Sequence, residues 1–266
     1  MLNVFTIVLN GAPFIERHHK QLDALGFPWR WTICEGPSKA INDTSHCSTL
    51  TADWYDSDGS SVDGTAAYLD YLAHSDHRVK VMRQPMWEGK TAQCNAALAT
   101  FDSAGVLMQI DSDELWTAAQ LSTIYNILQD HPTCDAATFW CRYFVGPDLV
   151  LATVPGYANN PAYEWRRAWK FEPGDLFETH EPPLLRGKTK YVTQDAMARL
   201  GCVFDHASYC TLDQMEMKAA FYAHMPGLLD GWCRMQSALP PFSLKERLPC
   251  VYTDALVIRT HNILKQ

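Results

Sequence analysis

Strand-like and helix-like segments alternate along the first half of the chain, and this alternation constrains the fold more than any other feature. Apolar runs predict strands over residues 5–9, 29–34, 78–83 and 105–110. Helical patterns lie between them, over residues 15–25, 63–72 and 90–101. Such alternation favours an α/β fold with a mixed, mainly parallel sheet and helices on both faces.

The second half of the chain is less regular. It predicts a helix over residues 118–128, an aromatic strand over 136–144, and loops with short strands over 145–190. A further helix is predicted over residues 211–222 with Thr211 as its N-cap, and the last 25 residues give only weak signals. Since no segment reads as a linker, we expect a single domain spanning residues 1–266.

Charge and cysteine spacing exclude several classes of function. The 266-residue chain carries a formal net charge of −8, which disfavours tight binding to a nucleic-acid backbone. None of the nine cysteines forms a Cys-x-x-Cys pair, so a zinc or thioredoxin-like site is not expected. The apolar N-terminal run is short and lacks a basic flank, and no later run approaches the ~18 apolar residues needed to span a bilayer. We therefore expect a reduced, cytoplasmic protein without stable membrane insertion.

Polar residues follow the predicted strands of the first half. Asn10 follows the first strand, Glu35 the second, and Asp111-Ser112-Asp113-Glu114 the fourth. Ligands bind outside the carboxyl ends of the strands in sheets of this type. Asp111 and Asp113 would share one side of the chain, and paired carboxylates suit a hard divalent cation. The alternative is that these residues only cap a helix that begins near Ala118.

Four segments together resemble landmarks of family 2 glycosyltransferases. They are Phe5-Thr6-Ile7-Val8-Leu9-Asn10-Gly11, Glu35-Gly36-Pro37-Ser38, Trp87-Glu88-Gly89-Lys90 and Asp111-Ser112-Asp113-Glu114. The resemblance covers residues 3–116 well and 164–222 more loosely. It implies an inverting enzyme of the GT-A fold with a DxD motif. It also implies a nucleotide-sugar-binding half over residues 1–116, and an acceptor-binding half with a C-terminal tail over residues 117–266.

The resemblance also implies which residues meet the nucleotide-sugar donor, expected to be a UDP-sugar by family habit. The donor-binding set is Leu9, Asn10, Glu35, Lys90, Asn95, Asp111 and Ser112. Asp58 is an alternative to Glu35 at the base, because residues 58–65 resemble the family's DGSxDGT stretch, displaced by about 20 residues. We favour Glu35 because it follows a strand. Residues 58–65 could instead be a flexible turn and helix cap, and Lys90 a solvated surface lysine.

The second half supplies the predicted chemistry. Trp165-Arg166-Arg167-Ala168-Trp169-Lys170, followed by a His180-Glu181 pair, resembles a family region near the acceptor. Glu181 is the predicted catalytic base that takes the acceptor's proton, and His180 is the alternative base or a donor contact. A structural turn before Pro182 is the competing interpretation.

His206, in Val203-Phe204-Asp205-His206-Ala207-Ser208-Tyr209, resembles a family histidine that completes the metal shell. The predicted metal ligands are Asp111, Asp113 and His206, and the predicted ion is Mn²⁺ or Mg²⁺. Asp205 is the neighbouring alternative, and His206 could also be a purely structural histidine.

Two other functions stay open at this point. A metal-dependent nucleotidyltransferase could share the sheet, cation and nucleotide, but the loop Asn10-Gly11-Ala12-Pro13 is poor in glycine and lacks the Lys or Arg usual there. A non-catalytic sugar- or nucleotide-binding module is the second. The acceptor is undetermined: a saccharide, lipid, protein, small molecule or modified nucleobase is possible, and the acidic charge only mildly disfavours a nucleic acid.

Overall fold

A computed structural model describes residues 1–44, 46–152, 165–251 and 254–265. The strands in this part of the chain are β1 (Leu2–Val8), β2 (Trp29–Glu35), β3 (Val79–Arg83), β4 (Gly105–Gln109), β5 (Glu114–Leu115), β6 (Ala136–Thr138), β7 (Trp140–Tyr143), β8 (Leu149–Leu151), β9 (Arg166–Phe171), β10 (Phe177–His180), β11 (Pro183–Leu185), β12 (Tyr191–Val192), β13 (Val203–His206), β14 (Phe242–Ser243) and β15 (Leu256–Arg259).

The helices in the same described ranges are α1 (Glu16–Asp23), α2 (Thr65–Ser75), α3 (Lys90–Leu98), α4 (Ala118–Asp130), α5 (Gln194–Arg199), α6 (Leu212–Phe221), α7 (Leu228–Gln236) and α8 (Leu244–Arg247). Short 3₁₀ turns lie at Ala40–Asn42, Ala52–Trp54 and Ile263–Lys265. None of the helices described here combines the length and the apolar character that crossing a bilayer requires.

The main sheet confirms the predicted α/β class. Among the described residues it has seven strands in the order β12-β6-β9-β4-β1-β2-β3. The four strands predicted in the first half are neighbours, and β4, β1, β2 and β3 run parallel. Near-continuous apolar runs suit strands that are covered on both faces.

Helices cover both faces of this sheet, as the alternation predicts. Neighbouring residues of one strand enter different cores: Val4 packs with residues of α1, α2 and α4, whereas Phe5 packs with residues of α3. Successive strand side chains point to opposite faces, so two adjacent apolar residues can bury themselves in two layers. The arrangement is a three-layer α/β fold.

The sheet's one antiparallel member, within the described ranges, is β9. It lies between β4 and β6 and pairs antiparallel with both. The prediction of loops and short strands over residues 145–190 did not identify this six-residue strand as a central member of the main sheet. Its Arg-Arg and Lys residues obscured a strand in which Arg167, Ala168 and Trp169 are all buried. Residues 153–164 of the predicted stretch, which include Tyr157 and Tyr163, lie outside the described residues.

The single strand predicted over residues 136–144 is wrong. It divides at Phe139 into β6, which joins the main sheet, and β7, which pairs with β13 in a separate three-stranded sheet with β5. Propensity favours a strand throughout, but the two pieces have different partners, and tertiary pairing decides where one ends. His206, at the end of β13, lies opposite Tyr143 at the end of β7.

The last part of the chain is more regular than its weak signals predict. Strands β14 and β15 form a small antiparallel sheet with β8. The helix predicted after Thr211 is confirmed as α6, and Thr211 and Gln214 form a reciprocal capping box at its start.

Candidate active site

A cavity of about 450 Å³ opens at the carboxyl ends of β1, β2 and β4. This is where an open α/β sheet binds ligands, because the loops that leave parallel strands meet there. The second half closes the cavity with residues that follow β10 and β13 and with one face of α6. Of the residues predicted from sequence, the lining contains Leu9, Asn10, Lys90, Asp111, Ser112, Asp113, His180, Glu181 and His206.

The loop after β1 forms one wall and is held by residues 61–65. Asn10 has a left-handed backbone with φ of 54°, and its side-chain oxygen accepts a hydrogen bond from the Val62 amide at 2.9 Å. The Asp63 carboxylate accepts from the Ala12 amide at 2.9 Å and the Thr65 hydroxyl from the Gly11 amide at 2.9 Å. The stretch that resembles DGSxDGT therefore positions this loop.

Neither candidate for the base contact lines the cavity. The Glu35 side chain is fully buried, and its carboxylate accepts from Arg83 at 2.6 Å and from the Ser61 amide at 3.0 Å. Asp58 is exposed, and hydrogen bonds from Ser60 lower the pKa of its carboxyl. Glu35 thus ties β2 to β3 and to residue 61, and the base contact stays a prediction for both acids.

Asn95 likewise lies away from the cavity lining. Its side-chain nitrogen donates to the Phe177 carbonyl at 3.1 Å, and its side-chain oxygen accepts from the Phe177 amide at 2.8 Å. This two-way bond joins α3 to β10, the strand that leads into His180 and Glu181. A direct donor contact by Asn95 stays untested.

Lys90 is the first residue of α3 and lines the cavity, with its ammonium 4.9 Å from the centre of the Phe221 ring. The segment between β2 and α2 covers the start of this helix. Asp43 of that segment accepts hydrogen bonds from the Thr91 amide and hydroxyl. A side chain at Gly89 would collide with the Asp43 carboxylate, which would have to shift away from Thr91.

Arg167 of β9 holds the first aspartate of the turn after β4. Its Nη2 donates to Asp111 Oδ2 at 2.9 Å, while Nε donates to Glu114 Oε1 at 2.8 Å. Burial acts to raise the pKa of Asp111, but Arg167 and His180 outweigh it and the pKa is lowered. Burial raises the pKa of Glu114 to about 7 even against the attraction of Arg167.

The second aspartate has two different partners. Asp113 Oδ1 lies 3.3 Å from His206 Nε2, and Asp113 Oδ2 lies 3.2 Å from Lys218 Nζ. Burial opposes ionisation, but Lys218 and His206 outweigh it and hold the pKa of Asp113 well below its usual range. His206 packs edge-on against Tyr143 and Trp165, and its Nδ1 is buried with no hydrogen-bond partner among the described residues.

His180 and Glu181 are neighbours with different environments. His180 Nε2 lies 3.4 Å from Gln109 Nε2, and burial, aided by Lys90, lowers the pKa of His180 to about 3. This imidazole is therefore neutral at ordinary pH and a weak base. Glu181 is exposed and lines the cavity, and within the described ranges no hydrogen bond or ion pair engages its carboxylate.

The fit of a divalent cation depends on Asp113 and His206. Ligands at adjacent positions around an ion with bonds of about 2.1 Å lie about 3 Å apart, close to the 3.3 Å between Asp113 Oδ1 and His206 Nε2. Asp111 instead faces Arg167, and across the described residues no three His, Cys, Asp or Glu side chains converge on one point. The residues therefore fit a two-ligand site completed by oxygens from a bound molecule.

Sequence reasoning missed Arg167 and Lys218. Arg167 stands in a strand between aromatic residues, where an unpaired charge would be costly, and that position could have indicated a buried acidic partner. Four residues of α6 line the cavity with helical spacing, namely Gln214, Met217, Lys218 and Phe221. Their shared face is visible in the sequence, but what it faces is not.

Comparison with known proteins identifies the family. The model of glycosyl transferase family 2 matches residues 57–189, which is half of the 266-residue chain. No curated protein sequence matches the chain. Among solved structures, the fragment 1–349 of TarS from S. aureus has 12% identity and a TM-score of 0.46, covering 86% of this chain and 69% of that one. A longer TarS structure has 12% identity and a TM-score of 0.44, covering 87% of this chain and 42% of that one.

The mannosyltransferase PcManGT from Pyrobaculum calidifontis, in complex with GDP-Man and Mn²⁺, has 14% identity and a TM-score of 0.49, covering 94% of this chain and 68% of that one. The family match includes the turn after β4, the strand β9 and the His180-Glu181 pair. This chain belongs to glycosyltransferase family 2.

Proposed function

We propose that this protein transfers a sugar from a nucleoside-diphosphate-sugar to an acceptor hydroxyl by direct displacement with inversion. The observation that carries the proposal is the convergence of Asp111, Asp113, Lys90 and Glu181 on one cavity of about 450 Å³. That volume lies within the usual range of small-molecule sites. The two aspartates suit cation binding, and the Lys90 ammonium suits diphosphate binding. The carboxylate of Glu181 suits base catalysis, because no described residue engages it.

Donor binding is assigned to the edge formed by β1, β4 and α3. Lys90 lines the cavity at the first residue of α3, and its ammonium can bind a phosphate as a point charge. The loop at Leu9 and Asn10 is fixed by residues 61–65 and offers a rigid wall to the nucleotide. Uridine diphosphate is the donor nucleotide that the family resemblance favours, and residues 1–116 would form the donor half.

A divalent ion, Mn²⁺ or Mg²⁺, would be held by Asp113 and His206, with Asp111 beside them. When bound, the ion would neutralise the charge that grows on the departing diphosphate. The chain's own contribution is orientation. Arg167 and Gln109 position the Asp111 carboxylate, and the aromatic rings around His206 fix its imidazole.

Glu181 is the proposed catalytic base. It would accept the proton of an acceptor hydroxyl aligned behind the anomeric carbon, and its carboxylate has no competing partner among the described residues. His180, neutral because of its burial, would contact the donor instead. The acceptor would approach from the side formed by residues 117–266.

A donor screen tests the proposal. Sugar nucleotides are incubated with the protein and Mn²⁺ or EDTA, and nucleoside diphosphate release is measured, first alone and then with candidate acceptors. We expect the wild type to release nucleoside diphosphate only when the ion is present. Asp113→Ala should lose both this release and the ion-dependent binding of the donor. Asp102→Ala is the matched control, because Asp102 is an exposed aspartate that pairs with Arg30. Pyrophosphate release from a nucleoside triphosphate would indicate a nucleotidyltransferase, and donor binding without turnover would indicate a binding module.

A further inference from the structure

Lys218 is oriented toward the carboxylate that the cation would use. Its ammonium lies 3.2 Å from Asp113 Oδ2, 2.5 Å from the Ser208 carbonyl and 2.8 Å from the Ser208 hydroxyl. An ammonium has three protons to donate, so these three oxygens satisfy it. The side chains of Lys218 and Asp113 are each 16% exposed, so water screens their attraction only partly.

One oxygen of Asp113, Oδ2, is therefore paired with an ammonium before any ion binds. His206 lies on Oδ1 and Lys218 on Oδ2. A divalent ion and an ammonium on the same carboxylate would repel each other, and the repulsion is stronger in a partly buried site than in water. The ammonium must move for the ion to interact fully with Asp113.

We propose that Lys218 competes with the divalent cation for Asp113, so that the ion binds weakly to the donor-free protein and tightly together with the donor. The inference rests on the proposed function, because it assumes a cation at Asp113. A nucleoside diphosphate carries enough negative charge for both cations: it supplies oxygens to the ion and takes the displaced ammonium. Two ligands linked in this way raise each other's affinity by the same factor.

A purely structural role for Lys218 makes a different prediction. Its bonds to Ser208 join α6 to the segment after β13, and a tether of that kind acts through hydrogen bonding rather than charge. Lys218→Gln removes the charge and keeps an N–H donor, whereas Lys218→Arg keeps the charge. Competition predicts that these two variants differ in ion affinity, while a tether predicts that they behave alike.

The test is a titration of donor-free protein with Mn²⁺ alone, followed by the electron paramagnetic resonance signal of the free ion. We expect Lys218→Gln to bind Mn²⁺ about three- to tenfold more tightly than the wild type, and Lys218→Arg no more tightly. Lys188→Gln is the matched control, because Lys188 and Asp175 form a similarly buried pair, each 18% exposed. This control should match the wild type.

A second titration, with uridine diphosphate at fixed Mn²⁺, separates the two ideas. Competition predicts that the nucleotide tightens Mn²⁺ binding less in Lys218→Gln than in the wild type. The role of Lys218 would be overturned if Lys218→Gln bound Mn²⁺ no more tightly than the wild type. It would also be overturned if the nucleotide increased the Mn²⁺ affinity of Lys218→Gln and Lys218→Arg by the same factor. Either result would leave the glycosyltransferase proposal intact. Wild-type protein that binds no sugar nucleotide under any condition would overturn the proposed function itself. If Lys218→Gln does not fold, the same titrations can be made with Lys218→Met, which also removes the charge but has no side-chain amide.

Discussion

The guanidinium of Arg167 lies against the carboxylate of Glu114, with 2.7 Å between Nη2 and Oε1, and both side chains are almost fully buried. The same guanidinium nitrogen reaches Asp111. A strand from the second half of the chain thus fixes the acidic turn that ends β4. The proposed cation site is therefore built from distant parts of the sequence.

Removal of Arg167 should destabilise the protein strongly. Arg167→Met leaves the buried Glu114 and the partly buried Asp111 without their cation, and we expect a loss of about 3–5 kcal/mol in the free energy of unfolding. Urea denaturation measures it. Arg186→Met, in the exposed pair with Glu178, should change stability by less than about 0.5 kcal/mol. A loss below about 1 kcal/mol for Arg167→Met would show that the buried pair is not needed.

Replacement of the proposed base should separate binding from turnover. Glu181→Gln keeps the shape of the side chain and removes its ability to accept a proton, so kcat should fall by about 10²–10⁴ while donor affinity stays near normal. Initial rates and donor titration provide the two readouts. Glu178→Gln, on the preceding strand and outside the cavity, should stay active. A fully active Glu181→Gln would remove Glu181 as the base.

Asn95 should matter for stability more than for donor affinity. Asn95→Ala deletes both bonds to the Phe177 backbone, and we expect the free energy of unfolding to fall by about 1–3 kcal/mol. Nucleotide affinity should change less than about threefold, since Asn95 is outside the cavity lining. Thermal denaturation and nucleotide titration measure the two effects. A large loss of affinity with unchanged stability would instead favour the donor contact that the sequence predicts.

The buried His18 should make folding sensitive to acid. Burial lowers the pKa of His18 from 6.5 to about 4, so the unfolded chain binds more protons between these values. The contribution of His18 to stability is complete above pH 6.5 and is lost as the pH falls toward 4, by at most about 3 kcal/mol. The free energy of unfolding of His18→Gln should therefore vary less over that range than the wild type, measured by urea denaturation at several pH values. His77→Gln, at an exposed position, should keep the wild-type slope, and an equal slope in His18→Gln would contradict the argument.

The sequence by itself determined the α/β class, the positions of the first four strands along the chain and the acidic turn after the fourth. These features come from local information: apolar runs define buried strands, and chain direction places the residue after each parallel strand at the same edge of the sheet. The N-cap at Thr211 is equally local, since its capping box spans four residues.

Only the tertiary structure decided how distant polar groups pair. The sequence contains Arg167, Lys218 and Asp43, but it does not say that they meet Asp111, Asp113 and the start of α3. The antiparallel insertion of β9 and the division at Phe139 were hidden for the same reason. Partners that are far apart along the chain are chosen by packing and by the need to satisfy buried charges, and neither of these is recorded in local periodicity.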